Sequence, residues 1–359
     1  KINFIPCNNF KNYFLFKDPQ NKKISLNKKV SILIPTSGSM GTPKFVMLSY
    51  ENLKDNTNKI SKYLKINEKD KAITNMSLAY SYMISVINSH IWSGASIFVT
   101  DKSILSREFW SDFKKNKISS FNGVPYAYKL IEKLNIKIFS NKNIKYLTQA
   151  GGELEEEIKK KFIKKCLKSN IRFYCMYGQT EASPRISFLN PKYALKKIGS
   201  VGKPLSNYEI KLFNYKNKII TKPNLIGKLI LYGKNIFLGY ANSRKDLSKI
   251  IKLKYKLNTE DFGYRDKDGF LYLTARSSKI AKIFGFRIDI LELEYKMKKL
   301  GYTVYCSEKN NHLKISYENN YNKNLLIKKL SDLTNLDQSG FIAIYMNKLP
   351  LNKNHKIDR

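Results

Sequence analysis

Short β-rich runs alternate with helical stretches through the middle of this chain, and that alternation constrains the fold more than any other feature. Ser96 to Thr100, Ser119 to Val124, Ile144 to Ala150 and Arg172 to Tyr177 read as strands, separated by helical segments such as Glu153 to Lys168. Strands joined through helices return in the same direction, so the pattern predicts a parallel sheet in an α/β fold. Ligands of such sheets bind beyond the carboxyl ends of the strands, where loops and helix amino termini converge. From about Ile198 to Thr274 the pattern turns to glycine-bounded strands, Glu209 to Phe213, Lys228 to Tyr232 and Phe270 to Thr274, with Asp261 in a loop between them. The end of the chain has an α+β order of its own: helix Leu291 to Leu300, strands near Thr303 and Lys314, helix Lys323 to Leu333 and strand Phe341 to Met346. A chain of 359 residues can bury a substantial core, and two domains are expected, a large one over 1–276 with a β-rich subdomain and a small one over 277–359.

A loop near the start carries the first chemical signal. Residues 36–44 read Thr-Ser-Gly-Ser-Met-Gly-Thr-Pro-Lys, directly after the apolar run Val30 to Pro35. Gly38 and Gly41 let the backbone turn tightly and bring its N–H groups close to an anion. Thr36, Ser37, Ser39 and Thr42 add hydroxyl donors and Lys44 a positive charge. A Walker loop does not fit, because Pro43 stands where that motif has glycine and Phe45 to Leu48 continues as a strand instead of a helix. The loop therefore joins two strands and is built for phosphate, a structural glycine turn being the plainer alternative.

Six segments, in order, resemble the adenylate-forming superfamily of acyl-CoA synthetases, luciferases and peptide-synthetase adenylation domains. They are T-S-G-S-M-G-T-P-K at 36, Q-A-G-G-E-L at 149, Y-G-Q-T-E-A at 177, G-S-V-G-K-P-L at 199, N-T-E-D-F-G-Y-R-D-K-D-G-F at 258 and L-P-L-N-K-N-H-K-I-D-R at 349. The resemblance implies ATP-dependent activation of a small carboxylic acid to acyl-AMP, with ATP and Mg²⁺ required and coenzyme A or a phosphopantetheine-bearing acyl carrier protein as thiol acceptor. Gly151 and Gly152 would let a planar base lie against backbone, beside Glu153, Gly178 and Gln179. Tyr177 would offer a stacking face, Thr180 a hydroxyl for the α-phosphate and Glu181 an oxygen ligand for Mg²⁺. A helix cap for Glu153, a core ring for Tyr177 and a solvated acid for Glu181 are the ordinary readings of the same residues. Asp261 would accept the ribose hydroxyls, and Arg276, following the last strand, would touch the ribose or phosphates; a surface salt bridge is the alternative for either. Lys356 matches the catalytic lysine, Ser277 and Ser278 fall at the hinge of a mobile small domain, and Gly285 lies in a turn used for thiol transfer.

Amino-acid-activating relatives place an aspartate in the segment corresponding to Ser77 to Met83, which here holds no acid. An acyl or hydroxyacyl acid is expected instead, with Tyr80, Tyr82, Val124 and Pro125 as pocket walls or, equally, core. Met40, Phe45, Glu260, Ala275, Ser278 and His355 depart from the family pattern, which leaves open a second reading, a nucleotide- or acyl-binding pseudoenzyme. Lys1 is not methionine and the loop begins at residue 36, so the resemblance also implies that part of an amino-terminal subdomain is missing, as in a fragment or a shortened relative.

Composition excludes more than it assigns. Lys and Arg number 66 against 28 Asp and Glu, a formal charge of +38, but the lysines are spread evenly and no nucleic-acid module is recognisable, so no specific nucleic-acid partner is expected. No run of eighteen apolar residues and no signal pattern occurs, so no membrane insertion and a cytoplasmic location, where ATP is available, are expected. Cys7, Cys166, Cys175 and Cys306 form no metal-ligand spacing and read as buried, inert thiols.

Overall fold

The computed structural model describes residues 5–10, 13–17, 26–36, 44–214, 216–249, 255–276, 280–283, 286–309, 311–334 and 336–347. Ser37, Gly38, Ser39, Met40, Gly41, Thr42, Ser277, Ser278, Gly285, His355 and Lys356 lie outside the described residues. The chain divides into two compact units. The first comprises 1–102, 179–185 and 234–255, and the second 103–178, 186–233 and 256–359.

In the first unit, strands Ile32–Thr36 and Lys44–Leu48 pair antiparallel with Thr36 opposite Lys44, as the loop reading required. The Thr36 hydroxyl donates to the Lys44 carbonyl at 3.1 Å, closing the loop at its base. A third strand, Gly239–Ala241, adds to the other side of Lys44–Leu48 with Tyr240 opposite Val46. Helix Tyr50–Leu64 starts at once because Ser49 and Asn52 form a reciprocal cap, each side chain accepting the other's backbone N–H. Such a cap contributes about 1 kcal/mol. The helix buries Ile60 and Leu64, and Ser61 donates to the Ser89 carbonyl of helix Ser81–Trp92 at 3.1 Å. Strands Lys71–Ile73 and Ser96–Phe98, on either side of that second helix, pair parallel.

In the second unit, Ser120–Gly123, Tyr146–Gln149 and Arg172–Gly178 are adjacent parallel strands, followed in the sheet by Arg185–Leu189 and Lys203–Pro204. Rings pack edge-on beneath them: Tyr128 meets Phe162 at 4.9 Å and Phe173 at 5.6 Å between centroids. All three rings are buried, which stabilises the unit, and the Tyr128 hydroxyl donates to the Thr148 carbonyl at 2.8 Å. Gly202 explains one family segment structurally. Its φ is +82°, and a Cβ there would sit 1.8 Å from the Phe188 carbonyl oxygen.

A four-stranded antiparallel sheet orders Glu209–Phe213, Gly227–Tyr232, Lys256–Arg265 and Leu271–Arg276. Two expectations are corrected here. Asp261 lies within strand Lys256–Arg265, not in a loop, and Arg276 ends strand Leu271–Arg276 instead of following it. The buried positions of strand Lys256–Arg265 are Leu257, Thr259, Asp261 and Gly263. Because only Leu257 among them carries an apolar side chain, the alternation that marks a half-buried strand is absent from the sequence. A third correction concerns the helix after Ala150, which runs Glu156–Lys168 with Glu155 at its N-cap, so Glu153 belongs to the preceding loop and caps nothing. Acids Glu156 and Glu157 in its first turn and Lys165 and Lys168 in its last match the helix dipole.

The last segment has a core of its own, in which Leu293, Met297, Leu313, Ile315, Leu326 and Leu330 are buried together. Its helices Ile290–Lys299 and Lys323–Thr334 and strands Val304–Lys309, His312–Tyr317 and Phe341–Tyr345 follow the expected order.

Candidate functional site

In the second unit, Tyr146–Gln149 and Arg172–Gly178 run side by side in the same direction, so the segments after them leave from one edge of the sheet. After the first, Gly151 adopts φ +82° and Gln149 donates from its amide to the Gly152 carbonyl at 2.8 Å. Gly151, Gly152 and Glu153 are exposed. A Cβ on Gly152 would come within 3.2 Å of Pro125, so Val124 and Pro125, which open helix Pro125–Lys133, border this turn.

After the second strand, Tyr177 is brought to Asp261, 84 residues on, and its hydroxyl donates to the Asp261 carboxylate. Tyr177 is 7% exposed and Asp261 5%. The Asp261 backbone N–H donates to the Thr259 hydroxyl at 3.2 Å, and its backbone lies opposite Arg276 across the two strands. A neutral hydroxyl donor orients a carboxylate without bringing an opposing charge to it. Glu260 beside it takes φ +58°, which explains why glycine suits that position, and its exposed side chain bonds Asn258 and lies 3.7 Å from the Lys228 ammonium. The Glu260 side chain, one of the departures from the family pattern, thus lies at the surface.

The chain passes into the first unit between Gly178 and Gln179. Thr180 and Glu181 open a short 3₁₀ turn, Thr180–Ala182. The Thr180 and Ser81 hydroxyls are 2.9 Å apart. Tyr240 donates its hydroxyl to Glu181 Oε1 at 2.8 Å, and the Phe237 N–H donates to the Glu181 carbonyl at 2.9 Å. The Lys44 ammonium sits 5.6 Å from the centroid of the Tyr240 ring. The structure thus gathers Lys44, Ser81, Thr180, Glu181 and Tyr240 around one turn. Tyr240 was invisible to sequence reasoning, because the run Asn235 to Tyr240 lies in none of the six segments.

Tyr82 is 3% exposed, with the buried Arg185 guanidinium 4.7 Å from its ring centroid and donating to Ser85 at 3.1 Å. That ring is engaged in core packing, while Tyr80, half-buried, precedes helix Ser81–Trp92 and meets Tyr82 edge-on at 6.1 Å. Val124 and Pro125 belong to the other unit. Cys166 and Cys175 fit their expected role, burial pushing the first thiol up to about 12 and the second up to about 11, and Cys306 is buried; the Cys7 side chain lies outside the described ones. Among the described residues no three His, Cys, Asp or Glu side chains gather to hold a metal, and no helix is long and apolar enough to cross a membrane.

Comparison with known proteins places this geometry in a family. The model of the AMP-binding enzyme family matches residues 8–241. A 2-succinylbenzoate–CoA ligase of Bacillus cereus is 27% identical over 280 residues, covering 76% of this chain and 55% of that protein. The Oceanobacillus iheyensis enzyme of the same name is 28% identical over 260 residues, 72% and 52% of the two chains. The chain spans about half the length of the curated relatives it matches. Among solved structures, o-succinylbenzoate coenzyme A synthetase of Bacillus subtilis in complex with ATP and magnesium superimposes with a TM-score of 0.66 at 20% identity, covering 95% of this chain and 72% of that one. Its complex with an acyl-adenylate gives 0.65 at 22%, over 90% and 67%. A long-chain-fatty-acid–CoA ligase of Archaeoglobus fulgidus gives 0.65 at 19%, over 93% and 66%, and these likenesses extend the agreement to the fold. With its family model covering well over half of the residues, the chain belongs to the AMP-binding enzyme family.

Proposed function

We propose that this chain activates a carboxylic acid with ATP, releasing pyrophosphate, and passes the acyl group to the thiol of coenzyme A. The observation that carries this reading is the Tyr177 to Asp261 bond, which joins within one unit two of the segments assigned to the nucleotide and orients the carboxylate assigned to the ribose. In the first step a substrate carboxylate oxygen bonds to the α-phosphorus and the bond to the β-phosphate oxygen breaks. Negative charge builds on the α-phosphate, and the Thr180 hydroxyl, Lys44 and Lys356 are the groups assigned to it. In the second, a thiol sulfur attacks the acyl carbon and AMP leaves. Glu181 fits Mg²⁺, which takes one or two carboxylates together with nucleotide phosphates and needs no cluster of protein ligands. When bound, the ion would neutralise phosphate charge; Oε1 of Glu181 is held by Tyr240, and the carboxylate keeps further lone pairs for it.

The acid is assigned to a class without an α-amino group, since Ser77 to Met83 offers no carboxylate to pair with an ammonium. The relatives' names make 2-succinylbenzoate the first acid to test and coenzyme A the acceptor, and nothing among them supports a carrier protein. Residues 277–359 are assigned to a separate small domain bearing Lys356, a reading supported by the independent core of its described part. Nothing among the described residues favours a pseudoenzyme, since Thr180, Glu181 and Asp261 are present and partnered. The test is exchange of labelled pyrophosphate into ATP by the full chain, with Mg²⁺ and a panel of acids led by 2-succinylbenzoate. Exchange dependent on both metal and acid is expected. ATP binding with no exchange for any acid would refute the reading.

A further inference from the structure

We infer that Tyr240 is the positioning residue for Glu181, holding the metal-binding carboxylate in place and linking it to Lys44 at the foot of the hydroxyl-rich loop; this rests on the nucleotide-activating function proposed above. Strand Gly239–Ala241 is only three residues long and pairs with Lys44–Leu48, the strand that leaves that loop. It sets Tyr240 opposite Val46, so the ring lies beside Lys44 and its hydroxyl reaches Glu181 Oε1 at 2.8 Å. The ring is 41% exposed, so burial does not account for its placement. Among the contacts that orient it are Lys44 at 5.6 Å over its face, Phe237 at 4.8 Å between ring centroids, and Glu181 at its tip. Phe237 also fixes the Glu181 backbone through its N–H, so two residues from one short segment hold both ends of the glutamate.

The chemistry of the donor matters. A lysine or arginine on Glu181 would offset the charge that a cation requires, whereas a neutral hydroxyl orders one oxygen and leaves the full negative charge. Among the described residues no ion pair engages Glu181, and the nearby Lys44 rests on the tyrosine ring. Partners that orient a metal ligand from outside the coordination sphere typically change metal affinity by about 10- to 100-fold when removed. Tyr240→Phe deletes the hydroxyl while keeping the ring that Phe237 and Lys44 touch, so the strand pairing is undisturbed.

The experiment uses the full chain with a non-hydrolysable ATP analogue and Mn²⁺ as a probe visible by electron paramagnetic resonance. Metal affinity is titrated for wild type and Tyr240→Phe, and nucleotide affinity at saturating metal is measured alongside. The expected result is a metal affinity about tenfold weaker or worse in Tyr240→Phe, with nucleotide affinity at saturating metal within about twofold and the thermal midpoint unchanged. Equal metal affinity in the two proteins would overturn the role of Tyr240 and leave the function intact. Loss of nucleotide and metal affinity in equal measure would also overturn it, marking a general structural role. Wild-type protein that binds no metal with the nucleotide would overturn both this inference and the function on which it rests.

Discussion

Removing the Tyr177 hydroxyl isolates the contact with Asp261 on which the proposed nucleotide site of the second unit rests. Both partners are at most 7% exposed, so solvent cannot replace the lost donor cheaply. A hydrogen bond to a charged group contributes about 1.5–3 kcal/mol, and Tyr177→Phe should cost that much, lowering the thermal midpoint by roughly 4–10 °C. In an Asp261→Asn background the acceptor is neutral, such a bond is worth about half as much, and the same change should cost only about 0.5–1.5 kcal/mol. The coupling in the double-mutant cycle is therefore about 1 kcal/mol or more. Urea unfolding followed by tyrosine and tryptophan fluorescence measures all four proteins, with a common slope required for the comparison. Tyr177→Phe should also weaken binding of AMP in calorimetric titration, because Asp261 loses the group that aims it. Equal costs of Tyr177→Phe in both backgrounds, or a cost below about 0.5 kcal/mol in the wild type, would refute the claim that this bond orients a charged carboxylate.

Lys356→Ala should abolish acyl-AMP formation by the full chain yet leave transfer from supplied acyl-AMP to thiol measurable, and an unaltered adenylation rate would remove Lys356 from the first step. His90 is 1% exposed, and burial holds its pKa below the ordinary value of 6.5 despite its bond to the Val86 carbonyl and the nearby Asp70. Its neutral form is favoured by folding, so stability should be full above that ordinary value and fall as pH drops below it, by at most about 1.4 kcal/mol per pH unit. Urea midpoints at neutral and mildly acidic pH should converge in His90→Gln, and an identical pH dependence would contradict the buried neutral imidazole. Gly202→Ala should destabilise the second unit by more than about 3 kcal/mol, read by thermal unfolding, since its Cβ would overlap the Phe188 carbonyl and its φ is +82°. Destabilisation below 1 kcal/mol would show that the strand yields locally.

Much of this protein was legible from residue order alone. The strands on either side of the hydroxyl-rich loop, the parallel sheet and the order of the carboxyl-terminal segment follow from apolar runs and turn residues that act within a few positions of one another. The residue types of the proposed nucleotide site stand out in the sequence too, because glycines, hydroxyls and acids are chemically specific at fixed spacing. Local pattern could not supply the contacts. The strand holding Asp261 carries polar residues on its inward face, so it hides its own periodicity, and the bond to Tyr177 spans 84 residues. Tyr240 reaches Glu181 only because Gly239–Ala241 adds to a strand nearly two hundred positions earlier in the chain. The start of the helix at Glu156 was settled by backbone geometry after Gly151, and the burial of Tyr82 under Arg185 by packing between segments a hundred residues apart. Short-range chemistry selects the elements and marks the reactive side chains. Strand pairing and burial, which act over any sequence distance, decide which of those side chains meet and which are consumed by the core.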